Sequence, residues 1–293
     1  RMMQHLSRIA LGTVQLGMAY GVANAGQVRR EDASAILDHA WKSGIRALDT
    51  AAAYGESETV LGEIGVAEWT LTSKLPPVPE DSEVEGWLRT AAESSLRRLR
   101  VPRIHAILLH SPDQLLSSRG ESIYRALAKL REEGLVSRIG ISAVRAEDAI
   151  ELFSRYDLNA VQAAMNVLDR RFESSHALRK MKDARAEVQI RSIFLQGLLL
   201  MNAQSRPAKF KRFDSVWRRW DEWLKDKNVT ALSACLSFAL QIPGADRIVL
   251  GVDSLDHLKE IIASIPSQKN IDIPANLASI DAALLDPWRW GEL

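Results

Sequence analysis

The fold predicted from the sequence is a single α/β (β/α)8 barrel of the TIM type, and three observations carry that prediction. Short β-rich apolar runs alternate with longer segments of helical periodicity, the pattern of βα units around a parallel sheet. The runs number eight, which is the count at which such a sheet closes on itself. No low-complexity linker, short-period repeat or shift of composition divides the chain, so residues 1–293 are expected to form one domain.

Each element has its own signal. After an amino-terminal extension, the first strand is expected at Arg8 to Thr13. A helix follows over Arg30 to Lys42, where Ala33, Ile36, Leu37 and Ala40 recur at helical spacing. The second strand, Ile45 to Asp49, leads into a helix over Glu58 to Ile64. The third, Thr70 to Lys74, precedes a helical stripe made of Leu88, Ala92, Leu96 and Leu99. The fourth strand is His105 to His110, and its helix, Ser122 to Glu133, stops at Gly134. Strands at Arg138 to Ser142 and Ala160 to Ala164 are followed by helices at Ala146 to Ser154 and Ser174 to Ala184. The seventh strand is Val188 to Ile193. There the spacing lengthens, and the stretch RPAKFKRFDSVWRRWDEW reads as an inserted loop and helix. A helix at Thr230 to Gln241, the eighth strand at Arg247 to Gly251, a helix at Ser254 to Ser264 and a tail ending in WRWGEL complete the chain.

Composition limits the functional classes. The apolar share is 46% and the charged share 26%, ordinary for a globular protein and incompatible with disorder. A net charge of +1 supplies no global field for nucleic acid or acidic membranes. Cys235 is the only cysteine, which excludes an intramolecular disulfide and any multi-cysteine metal site; no metal is expected. The longest apolar stretch, Ile193 to Met201, is broken by Gln196 and Gly197, too short for a membrane helix of roughly 20 residues. The start, RMMQHLSRIALG, has no apolar signal core. A soluble, cytoplasmic protein with no nucleic-acid or membrane partner is expected.

In a barrel, chemistry collects at the carboxyl ends of the strands. Asp49 ends the second strand, Lys74 the third and His110 the fourth, and Tyr54 stands in the loop after Asp49. A phenol, with an ordinary pKa of about 10, is a poor acid at neutral pH, but a neighbouring lysine cation stabilises the phenolate. Asp49 can hold that lysine by an ion pair. The group suits proton donation to a carbonyl oxygen as hydride reaches the carbon.

These segments, LGTVQLG, LDTAAAYGESETVLG, TSKL, ILLHSPD, GLVSRIGIS and LQGLLL, resemble the aldo-keto reductase family in family order over most of the chain. The resemblance implies Asp49, Tyr54, Lys74 and His110 as a catalytic tetrad. It further implies an oxidoreductase that reduces an aldehyde or ketone, sugar-like carbonyls among the candidates, to an alcohol with NADP(H) or NAD(H). By the same resemblance, Gly12, Thr13 and Asp49 would stand beside the nicotinamide, and Ser142 and Gln162 would bind its carboxamide. Arg191, Ser192, Phe194, Gln196 and Gly197 would follow the ring and pyrophosphate, and Gly251, Ser254 and His257 the adenosine phosphate. Three positions depart from the family pattern. Ala143 follows Ser142 where many members have asparagine, Arg191 stands where many have an aromatic ring, and Asp253 falls near the basic residue of NADP-preferring members. That last departure keeps NAD(H) open. Two other readings are a nicotinamide-binding regulatory subunit with little turnover, and a non-redox sugar isomerase or lyase on the same barrel.

Other features have simpler readings. His105 begins the strand that ends at His110, so a structural role at the opposite mouth is expected. Cys235, in ALSACLSFAL, reads as a buried core residue. Trp217, Trp220 and Trp223 share a helical face that packs onto the barrel, although one of them, or Tyr20, Trp288 or Trp290, could line the pocket. The cluster Lys209, Lys211, Arg212, Arg218 and Arg219 reads as a solvated surface.

Overall fold

Eight parallel strands pair in chain order and close, the last against the first, in a computed structural model that describes residues 2–23, 26–265 and 270–293. They are β1 (Ile9–Gly12), β2 (Ala47–Asp49), β3 (Thr70–Leu75), β4 (Ile104–Leu109), β5 (Val136–Ala143), β6 (Ala160–Ala164), β7 (Glu187–Arg191) and β8 (Arg247–Gly251). Closure brings Gly12 opposite Gly251 in the β1–β8 register. A Cβ on Gly12 would stand 3.3 Å from the Gly251 backbone, so the two glycines permit a close approach of the strands. The (β/α)8 barrel expected from the sequence is therefore observed.

Helices between the strands bury the expected stripes. Arg30–Ser43 turns Ala33, Ile36, Leu37 and Ala40 inward and ends at Gly44, whose φ of 106° only glycine adopts without cost. Val84–Leu99 buries Leu88, Ala92, Leu96 and Leu99, and the Glu83 carboxylate caps it by accepting from the Glu85 and Gly86 amides. The inserted segment is a short 3-10 turn, Ala208–Phe213, followed by the helix Asp214–Lys227. No helix among the described residues is long and apolar enough to cross a membrane.

Three expectations are corrected in detail. The helix expected over Ser174 to Ala184 is two pieces, Arg171–Ser174 and Ala177–Asp183, separated at His176 with φ 61°. The chain reverses there without a glycine to announce it. β7 stops at Arg191 rather than Ile193, because the backbone turns left-handed at Ser192. His110 is the residue after β4 and hands its amide to the Leu75 carbonyl at 3.0 Å. The extension at the amino end contains a short helix, Met2–Leu6.

Alternation along the strands decides what fills the barrel. Ala106, Leu108 and Ala160 form one small apolar cluster and Ala10, Ala47 and Val249 another. Asp49, Thr72, Lys74, Gln162 and Gln189 are buried too, and bond to one another. At the opposite mouth, the Glu187 carboxylate binds His105 at 2.5 Å, Arg138 at 3.4 Å and Arg247. His105 thus has the structural role expected of it.

Candidate active site

The carboxyl ends of the strands open into one cavity of about 720 Å³, within the usual range of roughly 300–1,000 Å³ for small-molecule sites. Just beneath its floor lies Lys74, only 1% exposed. Its ammonium donates to both carboxylate oxygens of Asp49, at 2.9 and 3.0 Å, to the Thr50 carbonyl at 3.1 Å and to the Tyr54 hydroxyl at 3.2 Å. Three donors thus meet four acceptors, so the cation is fully engaged. Burial works against the charge of Lys74, but Asp49 and Tyr54 outweigh it and hold the ammonium above the ordinary lysine range. Because the Tyr54 oxygen accepts from the ammonium, its own O–H is free to point elsewhere, and Tyr54 lines the cavity.

His110 meets Tyr54 edge to face, with ring centroids 5.9 Å apart. Burial, then the Lys74 and Arg191 cations, push its pKa down to about 4. The imidazole is accordingly neutral near pH 7, one ring nitrogen donating and the other accepting. Tyr20, across the mouth, is pushed up to about 12, by burial first and then by Tyr54, and remains a neutral phenol.

Most residues singled out from the sequence meet in this wall. Gly12, Thr13 and Asp49 line it together with Ser142 and Gln162. The end of β7 and the loop after it bring Arg191, Ser192, Phe194, Gln196 and Gly197, and the end of β8 and the helix that follows bring Gly251 and His257. Two residues stand apart from the wall. Lys74 lies beneath it, and the Ser254 hydroxyl caps the following helix by accepting from the His257 amide at 3.0 Å. The Thr13 hydroxyl is engaged by the Asp49 carbonyl at 2.7 Å and by Ser57 at 2.8 Å, so it fixes β1 against β2.

Of the aromatic residues weighed, Tyr20 and Trp288 line the cavity. Trp217 and Trp220 form the buried face of the inserted helix, their indole N–H groups donating to the Phe210 and Leu199 carbonyls, and Trp290 donates to the Leu284 carbonyl. Sequence reasoning passed over Gln15, Val144, Pro287 and the buried Gln189. The signal for Gln189 was present: Glu187, Gln189 and Arg191 are polar at every second position of one strand. Also missed was the strained loop after β7, where Ser192, Leu195 and Gln196 have φ of 61°, 49° and 54°. Non-glycine residues held there are costly and cluster at functional sites.

Gln162 supplies the clearest mark of a ligand. Its amide N–H groups donate to Asp49 at 2.7 Å and Gln189 at 2.9 Å. Its oxygen, also buried, has no partner, and an orphan acceptor is a costly thing to leave in a wall.

Comparison with known proteins agrees with this architecture. The chain is 28% identical over 273 residues to a D-threo-aldose 1-dehydrogenase of a Pseudomonas species, covering 80% of this chain and 82% of that protein. A 6-dehydroglucose reductase of Novosphingobium aromaticivorans is 32% identical over 153 residues, 46% of this chain and 49% of that one. In fold, the holo form of an aldo-keto reductase from Bacillus halodurans superposes with a TM-score of 0.74 at 20% identity, over 96% of this chain and 95% of that one. The profile of the Aldo/keto reductase family matches residues 8–282, and the chain therefore belongs to that family of nicotinamide-dependent oxidoreductases.

Proposed function

We propose that this protein reduces the carbonyl of a sugar-like substrate to an alcohol, with Tyr54 as proton donor and NADP(H) as cofactor. The observation that carries the reading is the Lys74 ammonium, which bonds Asp49 and Tyr54 at once. That arrangement points the Tyr54 proton into the cavity and places a fixed cation where the phenolate charge develops. Neutral His110, beside Tyr54, donates to the carbonyl oxygen and orients it. Asp49 holds Lys74, and Gln162 holds Asp49. The sugar-like class rests on the relatives named for an aldose and for 6-dehydroglucose.

The residues present fit a nicotinamide. The orphan Gln162 oxygen asks for an N–H donor, which a carboxamide provides, and Ser142 stands beside it at the paired position of β5. When bound, the cofactor supplies the hydride. Gly12 and Gly251 keep the wall free of side chains there, while Phe194, Gln196, Gly197 and His257 would hold the rest of the dinucleotide. NAD(H) is the alternative that Asp253 favours, since its carboxylate, 3.5 Å from His257, lies in the cavity wall and repels an added phosphate. The complete set of Asp49, Tyr54, Lys74 and His110 favours turnover over a purely regulatory role.

The test is oxidation of NADPH and of NADH, followed optically, with a panel of aldoses, ketoses and small aldehydes. Sugar-dependent oxidation of at least one cofactor is expected. Binding of both cofactors without oxidation by any carbonyl would overturn the reading in favour of a regulatory subunit.

A further inference from the structure

At the catalytic end of the cavity the charges do not balance. Asp49 and Lys74 neutralise each other through two hydrogen bonds, and His110 is neutral near pH 7. Arg191, partly buried in the same wall, is left over. Its guanidinium donates to the Ala143 carbonyl at 3.1 Å and, weakly, to the Ser192 hydroxyl at 3.4 Å. These acceptors fix its place without cancelling its charge. Among the described residues no carboxylate lies within ion-pair distance of it. The other acidic group in the wall, Asp253, sits with His257 beyond β8, and it is not among the charges acting on His110 or Tyr20, whereas Arg191 acts on both. A partly buried cation with no counter-charge is costly unless the ligand makes use of it.

We propose that Arg191 makes this cavity discriminate by charge between the two forms of the nicotinamide ring, holding the neutral reduced ring more tightly than the cationic oxidised one. This rests on the nicotinamide-dependent reading above. Each reduction delivers a hydride to the carbonyl carbon and a proton from Tyr54 to its oxygen, and leaves the ring with one positive charge. Tyr54 and His110 fix the carbonyl oxygen, so the hydride donor must lie beside them, within range of Arg191. At an effective dielectric of ~20, the repulsion between two unit charges is worth tenfold or more in affinity at any separation up to about 12 Å. The phosphates are common to both forms and cancel from the ratio. Spent cofactor would then leave readily after reduction.

The experiment is a fluorescence titration with the oxidised and reduced forms of the same dinucleotide, using the protein's eight tryptophans, of which Trp288 lines the cavity. Wild type, Arg191→Gln and Arg191→Lys are compared, each with a circular dichroism spectrum to show that it folds. Wild type is expected to bind the reduced form at least tenfold more tightly. Arg191→Gln should bring that ratio down about tenfold, while Arg191→Lys, which keeps the charge, should retain most of it. Equal affinities in wild type, or a ratio unmoved by Arg191→Gln, would overturn the proposal. If neither form binds at any concentration tested, the nicotinamide reading itself fails, and this inference with it.

Discussion

At the scale of single residues, the site is a problem of keeping two charges buried and one proton available. Lys74 stays charged because Asp49 faces it with both oxygens, and removing either partner strands the other without compensation. Lys74→Met is therefore expected to cost at least ~100-fold in kcat for reduction, with an altered pH profile because the cation beside Tyr54 is gone. An unchanged profile would show that Lys74 does not act on the donor. His110 makes a separate prediction. Its pKa is held at about 4, below the ordinary imidazole value of about 6.5, so it gains a proton only as pH falls through about 4. Its contribution to kcat/KM should stay constant from neutral pH to about pH 5 and be lost below that. An inflection near 6.5 that disappears in His110→Asn would contradict this.

At the scale of elements, the site depends on backbone contacts that leave no room for side chains. Gly17 packs on the loop carrying Tyr54, and a Cβ there would lie 1.9 Å from the Tyr54 carbonyl and 2.4 Å from the Ser57 amide. Gly17→Ala must push that loop away, so reductase activity is expected to fall well below wild type in a protein that still folds; full activity would show that the loop position is not critical. The inserted helix has a packing role. Trp220 is fully buried against the loop after β7 and donates to the Leu199 carbonyl at 3.3 Å. Trp220→Ala should cost about 3–5 kcal/mol of stability in chemical denaturation, and a loss under ~1 kcal/mol would contradict that packing role.

The same scale shows what was legible in the sequence. Strands such as Ala160–Ala164 and Arg247–Gly251 stand as expected, because their β-rich runs are bounded by polar or turn residues. The break at His176 and the strained turn at Ser192, Leu195 and Gln196 were not legible, since tertiary contacts rather than glycines impose those left-handed conformations. The polar residues at strand ends were readable because a barrel gathers strand ends into one place. Gln15, Val144 and Pro287 were not, because their presence in the wall depends on how loops from β1, β5 and the tail converge.

At the scale of the whole molecule, the barrel separates a stabilising mouth from a reactive one. At the stabilising mouth, burial raises the cost of the Glu187 charge, but His105 and Arg247 more than offset it and hold the carboxyl down at about 2. A group whose folded pKa lies below its unfolded value of about 4.3 stabilises the protein above that value, and the contribution disappears as pH falls toward 2. The difference in denaturation midpoint between wild type and Glu187→Gln should thus be large at pH 7 and shrink on acidification; a pH-independent difference would count against this account. The reactive mouth carries the central claim, that Tyr54 gives the proton. The most direct test measures turnover and reduced-cofactor affinity together in Tyr54→Phe. The account predicts a loss in kcat of roughly 10²–10⁴, the usual worth of a positioned general acid, with affinity for the cofactor nearly unchanged. Turnover close to wild type in Tyr54→Phe would contradict it.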